Sequence, residues 1–353
     1  MSIKLTQFSH GGGCGCKMSP AVLAEILAKT PMPALPKELL VGSETSDDAA
    51  VYQLNAEQAI VATTDFFTPI VDDPRDFGRI AAANALSDVY AMGGRPLFAL
   101  AVVGMPLDKL PLSVIGEILQ GGAEVCARAG IAIAGGHSID VQEPIYGLVA
   151  LGLVHPANVK RNSGARDGDV LILGKPLGIG ILSAALKKGL LSAEGYAEML
   201  CQTTKLNTPG AALAGMDCVH AMTDVTGFGL AGHLLEICRG SKLQAVVAFS
   251  RLPLIAEAER LVRQGISTGA SARNWSSYGH DVALPDGAEE WQQKLITDPQ
   301  TSGGLLVACA PEFTDLVLAE FEREGFAPAV IGLMVNPVGE ANETAGSPRL
   351  RVS

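Results

Sequence analysis

A glycine-rich stretch near the start of the chain constrains the fold most strongly. Residues 10–17 read His-Gly-Gly-Gly-Cys-Gly-Cys-Lys, with four glycines among eight residues. Because glycine loses more backbone freedom than any other residue on ordering, this stretch is unsuited to a stable helix or strand. It predicts a mobile loop that approaches a ligand closely and carries Cys14, Cys16 and Lys17. Ser-Pro at 19–20 indicates a helix start, where the helix dipole and Lys17 favour a thiolate or a bound anion. A disordered terminal segment is the alternative interpretation.

Composition predicts a protein of mixed helices and sheets with two domains. The chain has 353 residues, of which 48% are hydrophobic and only 5% aromatic, so the core is mostly aliphatic. Short aliphatic runs separated by glycines indicate an α/β or α+β protein with extensive sheet. A polar segment between Pro156 and Asp169 predicts a domain boundary. We therefore predict a loop over residues 1–17, an N-terminal domain over 18–157 and a C-terminal domain over 158–353.

The charge and the cysteines exclude several classes of function. A formal net charge of -11 and the lack of a basic run argue against partners such as nucleic acid and anionic membranes. No segment has the apolar length of a signal peptide core or of a membrane span. Seven cysteines without a targeting segment predict a reducing, cytoplasmic location.

Three local patterns give structural predictions. A helix is predicted from Pro74 to Gly93, because proline suits a first turn and glycine suits a helix end. The aliphatic run at 131–134 predicts a buried strand that ends at the Gly-Gly-His-Ser sequence of 135–138. Residues 269–280 are polar and predict a loop.

Four aspartates distant in sequence predict a metal site. Asp48, Asp65 and Asp224 lie at predicted strand ends, and Asp88 shares an otherwise apolar helix face with Asn84. Carboxylates of this kind suit Mg²⁺, which binds through a few carboxylates and substrate phosphates. With glycine-rich turns nearby, they indicate an ATP·Mg²⁺ site of a kind other than a Walker loop, whose pattern is absent. Separate solvated turn aspartates are the alternative.

The motifs taken together resemble the selenophosphate synthetase (selenide, water dikinase) family, within the aminoimidazole-ribotide-synthetase-like superfamily. The resemblance runs in order along nearly the whole chain. Its motifs are the loop at 10–17, Asp-Asp-Ala-Ala-Val at 47–51, Thr-Asp-Phe-Phe at 64–67, Asn-Ala-Leu-Ser-Asp-Val-Tyr-Ala-Met-Gly-Gly at 84–94, Gly-Gly-His-Ser at 135–138, Thr-Asp-Val-Thr-Gly-Phe-Gly at 223–229 and Asp-Pro-Gln-Thr-Ser-Gly-Gly at 298–304.

The resemblance implies an enzyme that uses ATP as a substrate. ATP, selenide and water would give selenophosphate, AMP and orthophosphate, with Mg²⁺ as cofactor. It also implies the two-domain aminoimidazole-ribotide-synthetase-like fold. An N-terminal sheet domain would bind ATP and form a dimer barrel with a second copy, and a C-terminal α+β domain would follow. The homodimer would share its active sites between subunits.

The resemblance also implies roles for individual residues. The catalytic positions match Cys14 and Lys17. The nucleotide-binding positions match Lys17, Thr45, Ser46, Asp47, Asp65, Asp88, Gly136, His137 and Ser138. The metal-ligand positions match Asp48, Asp88 and Asp224.

Two other functions remain open at this point. Another ATP-dependent enzyme of the same fold would act on a purine precursor or a thiamine phosphate and would not need the thiol loop. A thiol-based selenium or metal carrier would use Cys14 and Cys16 and keep only a vestigial nucleotide site. From the residues alone, His137 suits a core position as well as a ligand contact, and Arg273 suits a nucleotide contact or a loop anchor. The selenium source is either free selenide or a donor protein.

Overall fold

The structure is a computed structural model that describes residues 3–9, 11–18, 22, 25–26, 29–30, 35–42, 47–337 and 348–353. The predicted helix start at 19–20 and the predicted nucleotide positions Thr45 and Ser46 therefore lie outside the described residues, as does His10.

The first half of the chain forms a six-stranded sheet. Its strands are β1 (Leu39–Val41), β2 (Ala50–Gln53), β3 (Ala59–Phe67), β4 (Arg95–Met105), β5 (Ile133–Asp140) and β6 (Ile145–Val154), in the order β1-β2-β3-β6-β4-β5. All neighbours pair antiparallel except β4 and β5, which are parallel. Because β5 is last in this strand order, it is an edge strand of the described sheet.

Two helices, Pro74–Ala91 and Leu112–Arg128, pack against each other beside this sheet. The first confirms the predicted helix. Asp73 caps it by accepting a hydrogen bond from the Asp76 amide at 2.9 Å, and Pro74 occupies its first turn. Nearly all of this helix is buried, so Asp88 is carried into the interior of the molecule.

Only one face of the N-terminal sheet is covered by these helices. Along β3, Asp65 and Phe67 are buried, whereas Thr64 and Phe66 alternate with them and are exposed. The Phe67 ring lies 6.0 Å from Phe77 of the first helix, which places Asp65 on the helix side. The opposite face, which no described helix covers, is apolar and includes exposed Phe66, Leu97 and Phe98.

The second half forms a seven-stranded sheet with helices around it. Its strands are β7 (Val170–Leu173), β8 (Val219–Asp224), β9 (Gln244–Val247), β10 (Val282–Ala283), β11 (Leu305–Cys309), β12 (Ala329–Val335) and β13 (Leu350–Val352), in the order β10-β13-β9-β12-β7-β11-β8. The helices of this half are Ile179–Lys187, Ala193–Thr203, Pro209–Leu213, Gly229–Ser241, Ala256–Arg263, Gly269–Tyr278, Glu290–Ile296 and Thr314–Arg323. Asp224 is the last residue of β8, at the sheet edge.

Two local predictions are wrong. The strand β5 does not end at the glycines but continues through them to Asp140, and it is largely exposed. Gly136 adopts φ +153°, and an added Cβ would lie 2.1 Å from the Ala101 carbonyl oxygen. Glycine is therefore required at this position because β5 pairs closely with β4, and not because the chain turns there.

The second error concerns residues 269–280, most of which form the helix Gly269–Tyr278 in place of a loop. Thr268 caps this helix, and its buried face is polar, with Ser271 and Asn274 bonded to backbone carbonyls of other segments. No helix of the described residues is long and apolar enough to cross a membrane.

Candidate active site

The glycine-rich loop packs between the two halves of the chain. Gly13 forms a bridge to Thr68 of the first half, and the Cys14 amide donates to Thr301 Oγ1 of the second half at 3.1 Å. Gly13 has φ +55°, and an added Cβ would lie 2.5 Å from Thr301 Oγ1. Only glycine therefore allows the chain to turn so close to this threonine. The turn places Cys14 in the interior with no exposed surface.

Asn84 joins the loop to the acidic residues of the first half. Its amide nitrogen donates to Asp65 Oδ2 at 2.8 Å, and its oxygen accepts from the Cys14 thiol at 3.3 Å and from the Ser302 amide at 2.7 Å. Lys17 Nζ lies 3.2 Å from the same Asp65 oxygen. The structure thus brings together the predicted catalytic residues Cys14 and Lys17 and the predicted nucleotide-binding residue Asp65.

The Cys14 thiol is not the low-pKa thiolate that the sequence suggested. Burial raises the pKa of Cys14 well above its ordinary value, and the charge of Lys17 lowers it only in part. The helix start on which the expectation depended lies outside the described residues. Burial alone would lower the pKa of Lys17, but Asp65, Cys14, Asp88 and Asp224 together raise it, so Lys17 stays a cation.

The three predicted metal ligands are held by hydroxyl groups. Asp88 accepts from Thr63, Asp224 accepts from Ser87, and Asp48 accepts from Thr223 at 2.8 Å. Ser87 in turn accepts from the Asn207 side chain at 2.7 Å. Two of these pairs, Asp48–Thr223 and Ser87–Asp224, join the first half of the chain to the second.

The electrostatics of these carboxylates fit a bound divalent cation. Burial raises the pKa of Asp48, Asp88 and Asp224, and the mutual repulsion of the carboxylates raises it further for Asp48 and Asp88. Asp48 Oδ2 is buried and has no hydrogen-bond partner among the described residues, so one ligand atom is free. Within the described ranges, however, no three Asp, Glu, His or Cys side chains already form a metal cage. The metal-ligand assignment therefore stays a prediction.

Three other predicted nucleotide-binding residues, Gly136, His137 and Ser138, lie apart from this cluster. His137 aligns with Val102, Gly147 and Phe66 across β5, β4, β6 and β3. Three strand spacings separate it from β3, about 14 Å. Gly136, His137 and Ser138 instead line a cavity of about 370 Å³ beside the Leu112–Arg128 helix. Asp47 lies next to Asp48, and its carboxylate accepts from the Asn162 amide at 2.7 Å.

The comparisons with known proteins cover nearly the whole chain. The family model described as AIR synthase related protein, N-terminal domain, matches residues 46–154, and its C-terminal counterpart matches 166–341. A selenide, water dikinase of Burkholderia pseudomallei is 66% identical over 94% of this chain and 94% of its own length. Those of Dechloromonas aromatica and Rhizobium meliloti are 66% and 54% identical, over 94% and 99% of this chain and 96% and 98% of theirs.

The chain belongs to the selenide, water dikinase family. The family, the fold class and the dikinase activity predicted from the sequence are thereby confirmed. A thiamine-monophosphate kinase structure from Stenotrophomonas maltophilia has a TM-score of 0.64 at 20% identity, with 94% of each chain covered. The structure of a HypE–HypF complex has a TM-score of 0.67 at 17% identity and covers 90% of this chain and 94% of that one. At these identities the two structures show the fold alone.

Several polar residues of this candidate site were not predicted to be functional. Thr301 holds the Cys14 amide, and Ser87, Thr63 and Thr223 each hold one carboxylate. One sequence signal was available for Ser87, which lies with Asn84 and Asp88 on a helix that is otherwise mostly apolar. Arg273 donates to the Gly15 carbonyl oxygen at 2.8 Å, so it anchors the loop.

Proposed function

We propose that this dikinase forms selenophosphate in the cleft between its two halves, from selenide, ATP and water, with release of AMP and orthophosphate. The observation that carries the proposal is the junction at Asn84. It ties the Cys14 thiol and the Lys17–Asp65 pair to one side chain, beside the carboxylates of Asp88 and Asp224. A cation and a carboxylate cluster provide the positioning and charge neutralisation that phosphoryl transfer requires. The thiol beside them can hold the selenium that accepts the phosphoryl group.

Asp48, Asp88 and Asp224 are the proposed Mg²⁺ ligands. The free, buried Asp48 Oδ2 and the raised carboxylate pKa values support this assignment. These three carboxylates would hold Mg²⁺, which would supply Lewis-acid neutralisation of the negative charge of the nucleotide phosphates. Thr63, Ser87 and Thr223 orient the three carboxylates by hydrogen bonds.

Lys17 and Cys14 have different proposed roles. Lys17 stays positively charged and is paired with Asp65, so it can stabilise negative charge on a transferring phosphoryl group. Cys14 holds or orients selenium and does not attack phosphorus. Because Cys14 is fully buried, the loop also excludes bulk water. Water competes with selenide as the phosphoryl acceptor, although it is also a reagent of the overall reaction.

A homodimer with shared sites is proposed for the remaining nucleotide contacts. The uncovered apolar face of the N-terminal sheet and its edge strand β5 offer a surface for a second copy. Gly136, His137 and Ser138 of one subunit would then complete the nucleotide site of the other, together with Thr45, Ser46 and Asp47 near its metal ligands. All seven cysteines are free thiols, which fits the proposed cytoplasmic location.

The test is an anaerobic incubation of the protein with ATP, Mg²⁺ and selenide, followed by phosphorus NMR. The proposal requires selenophosphate and AMP to form together. Cys14→Ser should lose selenide-dependent product but still bind ATP, because the thiol contacts Asn84 and no predicted nucleotide ligand. Cys16→Ser, two residues away and only partly buried, is the matched control and should keep most of the activity.

Excess reductant must be present, because a Cys14–Cys16 disulfide would imitate either substitution. Equal loss in both variants, with no AMP released by the wild type, would favour the thiol carrier. A donor protein remains the alternative source of selenium. If it is required, free selenide supports only slow product formation.

A further inference from the structure

A cavity of about 270 Å³ lies against the glycine-rich loop, outside the acidic cleft. It is lined by Gly11, Gly12 and Gly15 of the loop, and by Lys187 and Lys188 at the end of the Ile179–Lys187 helix. Arg273 and the start of the Gly269–Tyr278 helix complete the lining. Among the residues that the structure describes, none of those assigned to the dikinase reaction lines this cavity.

The cavity is cationic in a chain whose formal net charge is -11. Three of its lining residues are Lys187, Lys188 and Arg273, and no acidic residue of the described part of the chain lines it. The N-terminal end of the helix that begins at Gly269 and the C-terminal end of the Ile179–Lys187 helix both line the cavity, so their opposite dipole charges offset each other and the positive charge comes from the side chains. The opposite sign prevails at Asp48, Asp65, Asp88 and Asp224, whose carboxylates would repel a small anion.

Two of the three cations also hold the loop. Lys187 Nζ donates to the Ser9 carbonyl oxygen at 2.9 Å, and Arg273 donates to the Gly15 carbonyl oxygen at 2.8 Å. Lys188 makes no ion pair or side-chain hydrogen bond to any described residue, and it is exposed. Its charge is therefore available to a ligand in the cavity, and its removal leaves the loop contacts in place.

The cavity lies beside the loop segment that carries Cys14. Cys14 lies between Gly13 and Gly15, is fully buried, and turns its thiol toward Asn84. Gly15 lines the cavity, and its Cα packs against Ala270 and Pro299, whose side chains lie 3.5 Å from the position that an added Cβ would occupy. A ligand in the cavity would thus lie next to the residue that follows Cys14.

We propose that this cavity binds the selenium substrate as a small anion, the hydrogenselenide ion HSe⁻, before it reaches Cys14. The inference rests on the proposed function and adds a path for one of its substrates. Nucleotide with Mg²⁺ meets the carboxylates of the cleft, and the anion meets the cations behind the loop, so the two reagents approach from regions of opposite charge. The volume suits a small hydrated anion, since a water molecule occupies about 30 Å³ of liquid.

The experiment compares Lys188→Gln and Lys188→Glu with the wild type under anaerobic conditions. KM for selenide and KM for ATP are measured from initial rates at low and high salt. Loss of one partly screened charge should raise KM for selenide about two- to fivefold in Lys188→Gln, and more in Lys188→Glu. KM for ATP should stay within about twofold, and salt should weaken the difference between variant and wild type.

Lys109→Gln is the matched control, since it removes the same charge from an exposed position in the first half of the chain. It should behave as the wild type. An unchanged KM for selenide in both Lys188 variants would overturn the inference, as would an equal rise in Lys109→Gln or a parallel rise in KM for ATP.

Equilibrium dialysis with radiolabelled selenide and no ATP gives a second readout. Lys188→Glu should retain less selenide than the wild type or Lys109→Gln, and equal retention would contradict the proposal. The two proposals fail differently. Wild-type protein that forms no selenophosphate refutes the proposed function, whereas normal selenophosphate formation with an unaltered selenide KM in the Lys188 variants refutes only the cavity.

Discussion

Replacing Asn84 with alanine tests the junction on which the site depends. Asn84 is fully buried and makes three hydrogen bonds, to Asp65, to the Ser302 amide and to the Cys14 thiol. The bond to the Asp65 carboxylate contributes about 1.5–3 kcal/mol, the neutral bond to Ser302 contributes about 1 kcal/mol, and the thiol bond is weak. Asn84→Ala should therefore lower the free energy of unfolding by about 3 kcal/mol.

This loss leaves a folded protein if the total stability is typical, at about 5–15 kcal/mol. Urea denaturation gives the stability, and anaerobic product formation gives the activity. Asn84→Ala should lose most selenide-dependent turnover, because Cys14, Ser302 and Asp65 lose their shared partner. Thr203→Val is the control. It removes a buried hydroxyl that donates to the Met199 carbonyl oxygen at 2.7 Å, far from the junction in sequence.

Asn84→Asp sharpens the comparison. It keeps the shape of the side chain but places an acceptor where Asn84 now donates to Asp65 at 2.8 Å. Repulsion between two carboxylates should make it less active than Asn84→Ala. The reasoning is refuted if Asn84→Ala changes the unfolding free energy by less than about 1 kcal/mol and retains turnover, or if Asn84→Asp is the more active variant.

Three further outcomes are expected. Asp48→Ala, Asp88→Ala and Asp224→Ala should each stay folded, because carboxylate repulsion is relieved, and should lose Mg²⁺-dependent ATP consumption; a wild-type rate would remove that residue from the site. Lys17→Ala should lower kcat by an amount equivalent to about 2.7–4 kcal/mol, and a change confined to KM for ATP would contradict a role in the transition state. Burial lowers the pKa of Lys175 to about 7 in the folded protein, whereas an unfolded lysine titrates at about 10. Between these pH values Lys175 is protonated in the unfolded chain but largely deprotonated in the folded one. Raising the pH from about 7 to 9 should therefore stabilise the wild type against urea by up to about 2.7 kcal/mol relative to Lys175→Met, and equal pH dependence of the two proteins would sink this explanation.

The sequence predicts elements whose signals are local. The helix Pro74–Ala91 has its proline at the start, its capping aspartate before it and a glycine beyond its end, and it forms as predicted. The helix Gly269–Tyr278 was missed because its buried face is polar. Ser271 and Asn274 bond to carbonyls of Lys294, Gly227 and Thr297. Such partners exist only after the chain has folded, so residue composition alone indicated a loop.

In the candidate site, too, the sequence predicts some residues and not others. Carboxylate, thiol and ammonium side chains are candidates for catalysis by residue type alone, so the sequence indicates Cys14, Lys17 and the aspartates. It does not indicate the serine and threonine residues that bond to them, because these residue types are common and their role depends on long-range pairing. Thr301 meets Cys14 across 287 positions of sequence, and no local pattern indicates that contact.

The hydrogen bonds between hydroxyl groups of one half and carboxylates of the other limit how far the two halves can move apart. Thr223 of the second half holds Asp48 of the first, and Ser87 of the first half holds Asp224 of the second. Each half thus supplies a hydroxyl group that positions a carboxylate of the other half, and both carboxylates belong to the proposed cation site. Hydrogen bonds weaken sharply beyond about 3.5 Å. A hinge opening of about one ångström between the halves would therefore break both hydrogen bonds. The two carboxylates are held in place only while the halves are packed together.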